Sequence, residues 1–318
     1  MRTGFPRCLV ALVALAALGA LYSCGGSEGA AGADPAAAGK LRAAPERARD
    51  EERWHGYAER LAPRGERFRV RLRERPAAGM VFDVRTGRVL WARRPRARRP
   101  IASLTKMMAA ILVADALPQG ATVKITREAL DYEGSGVGLF KRGQRIDADT
   151  MLYGLLLPSG NDAAIALAQR VAGSVPAFVV RMNQRARSLG LRCTRFPSPT
   201  GILDRRNFSC ARDLARMGRE VLRRPLLREI VGTQYAQRRY PSRKRRKLYF
   251  ANNNTLMRRG YEGVTGVKTG YTDAAGSCLV ATVRRGGRHL GVVLLDSPDT
   301  GDQGGRLLDK AFRRVLRG

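Results

Sequence analysis

Ser103 and Lys106 stand three residues apart in Ser103-Leu104-Thr105-Lys106, a spacing that sets a hydroxyl and an amine on one side of a helical turn. A serine hydroxyl attacks a carbonyl efficiently only when a base takes its proton, and a neutral lysine amine can be that base. Neutrality requires a depressed pKa. Burial beside apolar residues, a second nearby cation and the positive end of a helix dipole all push in that direction. Arginine cannot take the role, because its guanidinium stays charged. The chain holds 59 Lys plus Arg, of which eight are Lys and 51 Arg, so composition alone would seldom put lysine here. The plain alternative is a capping serine followed by a surface lysine.

Two further clusters carry polar groups suited to the same task. Ser159-Gly160-Asn161 follows the apolar run Leu152 to Leu157 and Pro158 and precedes a helix, so its side chains can project from a loop into a cleft. The alternative there is simple helix capping. Lys268-Thr269-Gly270 ends the run Gly263 to Val267, and read plainly it is an edge strand with a turn glycine. A cation and a hydroxyl on an edge strand can hold a substrate carboxylate, while Gly270 lets a substrate backbone approach closely. His55 and His289 are the only histidines, which nearly excludes metal hydrolysis and a Ser-His-Asp triad. Both are read as structural or solvated, and no metal or cofactor is expected.

These residues need a scaffold, and 318 residues suffice for one large domain or two modest ones. Met80 to Val84 and Val89 to Trp91 are strand-like runs around Arg85-Thr86-Gly87-Arg88, a hairpin signal. A charge-poor helix opens at Ser103, with Met107, Ala110, Ile111 and Ala114 at helical spacing and Pro118 beyond its end. After a Gly-rich loop from Glu133 to Gly143, helices are expected over residues 161–172, 175–189 and 210–223. Ser174 and Ser209 are the expected N-caps, and Gly190 a C-terminal stop. Strands are expected over 263–269, 277–283 and 289–295, then a closing amphipathic helix over 306–316. The short turns 271–276 and 284–288 favour antiparallel pairing. The fold class is therefore α/β layers around one antiparallel sheet.

The N-terminus reads as an address. Arg2 and Arg7 precede a 15-residue apolar run, Cys8 to Tyr22, which suits an export signal and is short for a membrane span. Residues 25 to about 50, rich in Gly, Ala, Pro and charge, read as a flexible tether, and the arginine-laden stretch 51–75 as a basic connector. The expected division is a signal peptide over 1–23, a basic tether over 24–75 and a catalytic domain over 76–318. Leu21-Tyr22-Ser23-Cys24 resembles the lipobox of bacterial lipoproteins, with Tyr22 as the departure. That resemblance implies acylation of Cys24; plain cleavage and an uncleaved signal anchor are the alternatives. In an oxidising compartment Cys193 and Cys210 could pair, flanking a loop; otherwise Cys193, Cys210 and Cys278 are small buried apolar residues.

In this order Ser-x-x-Lys, Ser-Gly-Asn and Lys-Thr-Gly resemble the motifs of the penicillin-binding proteins and serine β-lactamases. The closer resemblance is to the D-alanyl-D-alanine carboxypeptidases among the low-molecular-mass penicillin-binding proteins. It extends from Ala77 to about Leu316 and includes Ile101 to Met108, Leu157 to Ala164 and Gly266 to Thr272. The resemblance implies a β-lactamase/transpeptidase-like fold with an all-helical subdomain beside the sheet. It implies acyl transfer from peptidoglycan stem peptides, β-lactam binding, and an exported, membrane-attached enzyme. Ser103 would be the nucleophile and Lys106 its base. Ser159 would relay a proton to the leaving amine, and Asn161 would orient Lys106 and the substrate amide. Lys268 and Thr269 would bind the terminal carboxylate, with Gly270 beside them, and the N–H groups of Ser103 and Tyr271 would form the oxyanion hole. Many relatives carry a further β-rich C-terminal domain. None is expected after Gly318, so membrane attachment is expected from Cys24.

Three other functions compete. An endopeptidase that cuts cross-links between stems would carry the same motifs. A class A β-lactamase would need a glutamate between the second and third motifs, where this chain has Asp204 in Gly201-Ile202-Leu203-Asp204. A polyanion-binding protein is suggested by the formal net charge of +32 and by Arg238 to Lys247, where seven of ten residues are basic; the structural alternative is a solvated loop or hairpin. Export argues against nucleic acid as the partner.

Overall fold

A computed structural model describes residues 60–202, 206–240 and 246–317. The expected signal, Cys24, the tether as far as residue 59, His55, Asp204 and the centre of the basic run 238–247 lie outside the described residues. The first strands are β1 (Arg60–Leu61), β2 (Ala78–Asp83), β3 (Arg88–Arg93) and β4 (Arg99–Pro100), followed by a 3₁₀ turn at Ala102–Thr105 that leads into α1 (Lys106–Ala116). A largely helical stretch comes next: β5 (Thr122–Lys124), α2 (Arg127–Leu130), β6 (Arg145–Asp147), α3 (Ala148–Leu156), α4 (Asn161–Ala172) and α5 (Val175–Ser188). Then come β7 (Phe208–Ser209), α6 (Ala211–Arg223), α7 (Pro225–Gly232), β8 (Tyr235–Arg239), β9 (Lys247–Ala251) and α8 (Thr255–Arg258). The chain closes with β10 (Val264–Thr272), β11 (Gly276–Arg285), β12 (Arg288–Ser297) and α9 (Thr300–Val315).

Six strands form the central sheet in the order β1-β3-β2-β12-β11-β10. All neighbours are antiparallel, as the short turns require, except β1, which lies parallel to β3. Period-two alternation sorts the side chains onto two faces. Val81, Leu279, Ala281, Leu290 and Val292 pack against Leu307, Leu308, Ala311 and Phe312 of α9. Met80, Phe82, Val280, Val293 and Leu295 belong to a second core shared with α1, α3, α4 and α6. Truncating Phe312, 1% exposed, would cost about 3–5 kcal/mol. The observed class is the expected one: an antiparallel sheet between helices, with a helical layer built on α1, α3, α4 and α5.

The hairpin turn is fixed by Asp83, whose Oδ1 accepts from Thr86 N at 2.7 Å and Thr86 Oγ1 at 2.9 Å, while Gly87 takes φ 78°. α1 carries almost no charge because both sides are covered; Met107, Met108, Ile111 and Val113 are all buried. Ser174 caps α5 as expected, accepting from Ala177 N at 3.3 Å, and Gly190 takes φ 68° after its last turn.

Three expectations need correction. Residues 60–75 are not tether: Arg60–Leu61 joins the sheet, Ala62 and Phe68 belong to the core shared with β3 and α9, and Leu72 is buried. Ser209 does not cap α6. The N-cap is Cys210, and the Ser209 hydroxyl instead bonds Thr194 Oγ1 at 2.8 Å. The closing helix starts at Thr300 rather than residue 306, because Asp299 Oδ1 accepts from Gly301 and Asp302 N–H groups, both at 2.9 Å. Of the two readings of the cysteines, pairing is the one observed: Cys193 and Cys210, 17 residues apart, form a disulfide, and Cys278 is buried on β11.

Candidate active site

Ser103 occupies the 3₁₀ turn and Lys106 the first position of α1, so the helix begins one turn later than its hydroxyl suggests. The turn is held tightly. Ala102 takes φ 46°, Thr105 Oγ1 donates to Asn207 Oδ1 at 2.9 Å, and Asn207 Nδ2 donates to Gly201 O at 3.0 Å. Asn207 and Thr105 are both fully buried. Gly201, at φ 85°, presses its backbone on the Ala102 carbonyl, where any side chain would collide.

Lys106 is fully buried, and its Nζ meets three oxygens: Asn161 Oδ1 at 2.6 Å, Thr200 O at 2.7 Å and Ser103 Oγ at 2.9 Å. Burial, then the neighbouring Lys268, hold its pKa well below the ordinary lysine range, with Asp162 opposing. A neutral amine has two N–H donors and one lone pair. Asn161 Oδ1 and Thr200 O can only accept, so they take both donors and leave the lone pair for the Ser103 O–H. The orientation of Asn161 is itself fixed, since its Nδ2 donates to Glu133 O at 2.5 Å.

Asn161 begins α4, whose first turn also ties down one wall of the cleft. Its backbone N–H donates to Ser135 O at 2.8 Å, and Asp162 accepts from Val137 N and Gly138 N, each at 2.9 Å. The Gly-rich loop 133–143 is thereby latched to the same turn that presents Asn161. Ser159 takes φ 71° and is buried, and its Oγ has no hydrogen-bond partner among the described residues. Such a hydroxyl is suited to a substrate proton.

β10 supplies the opposite wall as an edge of the sheet. A Cβ on Gly270 would stand 3.0 Å from both Ile101 O and Ser103 N, so only glycine lets this strand approach Ser103 so closely. Lys268 is 2% exposed, donates to Thr269 O at 2.9 Å, and has its pKa lowered to about 7 by burial. Thr269 is half-buried, whereas the Tyr271 ring is exposed and its hydroxyl donates to Asp273 Oδ1 at 3.1 Å. Any part Tyr271 plays is left to its backbone.

Ser103, Lys106 and Asn161 are thus joined by direct hydrogen bonds, and Gly270 lies against the turn that carries Ser103. Asn207, Asp162 and the carbonyl of Thr200 were not singled out from sequence. A carbonyl has no residue signature, and Asn207 shows its importance through Thr105, 102 residues away in the chain. Asp162 had a signal: it directly follows Ser159-Gly160-Asn161.

A family model described as D-alanyl-D-alanine carboxypeptidase matches residues 73–299. The D-alanyl-D-alanine carboxypeptidase DacF of Bacillus subtilis (strain 168) is 35% identical over 243 residues, covering 74% of this chain and 61% of its own length. A D-alanyl-D-alanine endopeptidase of Escherichia coli (strain K12) is 33% identical over 221 residues, covering 69% of this chain and 71% of its own. Among solved structures, a D-alanyl-D-alanine carboxypeptidase from Mycobacterium tuberculosis H37Rv superposes with a TM-score of 0.70 at 32% identity, covering 77% of this chain and 94% of that one.

Proposed function

The chain belongs to the D-alanyl-D-alanine carboxypeptidase family of serine peptidases, and on that premise we propose that it removes the terminal D-alanine from peptidoglycan pentapeptide stems. The observation that carries this reading is the threefold contact of Lys106, which leaves one lone pair for the Ser103 hydroxyl. Lys106 takes the Ser103 proton as Oγ attacks the penultimate carbonyl carbon. The N–H groups of Ser103 and Tyr271 hold the developing oxyanion, an interaction whose loss typically costs about 10²–10³ in rate. As the C–N bond breaks, Ser159 relays a proton to the departing D-alanine. Water, activated by Lys106, then hydrolyses the ester on Ser103.

Two buried lysines serve two roles through different charge states. Lys106 must be neutral to accept a proton, while Lys268 must be charged to hold the substrate carboxylate together with Thr269. Each ammonium disfavours the other, and a bound carboxylate favours the charged form of Lys268. β-Lactams acylate Ser103 in place of the stem peptide.

Export, with acylation of Cys24 as the anchor, completes the reading. Labelling with a clickable fatty acid tests it, since label persisting in Cys24→Ala refutes lipidation there. Cross-link cleavage is the second reading, supported by endopeptidase-named relatives from Escherichia coli and Pseudomonas aeruginosa, 71% of whose lengths are covered. The test uses muropeptides carrying both pentapeptide stems and cross-links, analysed by mass spectrometry beside Ser103→Ala. Ser103-dependent loss of one alanine is expected. Conversion of dimers to monomers instead assigns endopeptidase activity, and no change in either species refutes both.

A further inference from the structure

A cavity of about 1100 Å³ lies between residues 61–75, β3 and α9, at the opposite edge of the sheet from β10. Sixteen residues line it, of which eight are Arg or Lys and eight are apolar; no carboxylate is among them. Arg64, Arg67 and Arg69 come from the N-terminal segment, Arg93 and Arg94 from β3 and the residue after it, and Arg314 from α9. Among the described residues none of these cations forms an ion pair, and the buried Nε of Arg67 has no hydrogen-bond partner. Glu66, the nearest carboxylate in sequence, is committed to Arg88 at 2.9 Å. Like charges gathered in one concavity repel, and an anion removes that cost.

The apolar half of the lining narrows the choice of anion. Phe68, Val70 and Leu72 line it together with the arginines, and Leu61, also in the lining, is 66% exposed. A water-soluble polyanion offers nothing to such a surface, whereas a phospholipid carries a phosphate and an acyl chain together. We propose that this cavity binds the headgroup of an anionic phospholipid, its phosphate on the guanidinium groups and the root of its acyl chain on Leu61, Phe68 and Val70. Arg64, Arg67 and Arg69 precede residue 73, where the family match begins, and Lys310 and Arg314 follow residue 299, where it ends, while β3 supplies the wall that lies inside it.

Position gives the site a use. It borders β1 and β3 at one edge of the sheet, while Lys268 stands on β10 at the other, five strand spacings of about 4.8 Å away. A bilayer gripping the first edge turns the cleft outward, toward polymer above the membrane.

The test is flotation of the full mature chain carrying Cys24→Ala, which removes any acyl anchor. Vesicles of phosphatidylcholine alone are compared with vesicles containing phosphatidylglycerol. Arg64→Glu/Arg67→Glu/Arg69→Glu is set beside a triple of equal charge on other surfaces, Arg127→Glu/Arg187→Glu/Arg192→Glu, all exposed and none in the cavity. Binding selective for phosphatidylglycerol is expected, falling at least about tenfold in the cavity triple and less than about twofold in the other. Equal losses in both triples would reduce the effect to diffuse charge and overturn the site. No vesicle preference, with tight binding of soluble polyphosphate, would assign the cavity to an anionic polymer instead. If thermal melting finds the glutamate triple unfolded, Arg64→Gln/Arg67→Gln/Arg69→Gln decides by the same readout.

Discussion

Asn161→Asp is nearly isosteric, and it should move the pH dependence of acylation rather than merely its size. Asn161 Oδ1 lies 2.6 Å from Lys106 Nζ, so the substitution sets a carboxylate against the proposed base. Two unit charges at 2.6 Å interact by about 6 kcal/mol at an effective dielectric of about 20. That is an upper figure; opposite charges at this range shift a pKa by about 1–3 units. That shift opposes the present depression of Lys106, caused by burial and by Lys268. The sign follows directly. A raised pKa keeps Lys106 protonated to higher pH, so on the acidic limb acylation at a given pH falls by up to about 10- to 10³-fold and recovers as pH rises. Stopped-flow acylation by a fluorescent penicillin from pH 5 to 10 measures this. An acidic limb with an unchanged midpoint, scaled down uniformly, would refute the idea that Asn161 and the neutrality of Lys106 are linked.

Other outcomes follow from the same geometry. Lys268, with a pKa of about 7, should lose its proton as pH rises through that value in the free enzyme. KM for a carboxylate-terminated peptide should therefore climb above neutrality, and Lys268→Gln should flatten that limb; steady-state kinetics across pH checks both. Asn207→Ala strands buried partners of the 3₁₀ turn, at about 1–3 kcal/mol for each group left unsatisfied. It should lower both denaturant stability and kcat, and a stable variant with unchanged kcat would remove Asn207 as a positioning residue. Reducing the Cys193–Cys210 disulfide, which closes a 17-residue separation, should cost about 3 kcal/mol by chain entropy, read by urea unfolding with and without reductant.

How much of this was legible in the chain differs from element to element. α4 runs over Asn161–Ala172 as its apolar spacing requires, because Gly160 and Gly173 punctuate both ends. The hairpin and the three last strands stand where alternating residues put them, and the first helix ends before Pro118. α9 was read late because Gly301, Gly304 and Gly305 are poor helix formers. Tertiary packing overrides that propensity, since Gly304 fits against Leu279 and Leu256. Residues 60–75 do carry a signal, a short one set among many charges: Phe68, Val70 and Leu72 alternate with the exposed Arg69, Arg71 and Arg73, the period of a half-buried strand. Ser103, Lys106 and Asn161 were legible because three short motifs in one order are specific together. Thr200 was not, since what matters there is a backbone carbonyl placed by the fold.

Ser103 as a nucleophile activated by Lys106 is the core of the account, and a covalent adduct tests it most directly. The mature chain is treated with benzylpenicillin at neutral pH and read by intact-mass spectrometry and peptide mapping, beside Ser103→Ala and Lys106→Met. One penicilloyl group per chain is expected, on the peptide containing Ser103, absent from Ser103→Ala and slowed at least about 10²-fold in Lys106→Met. An adduct that survives Ser103→Ala, or one that forms at an undiminished rate without Lys106, would contradict it.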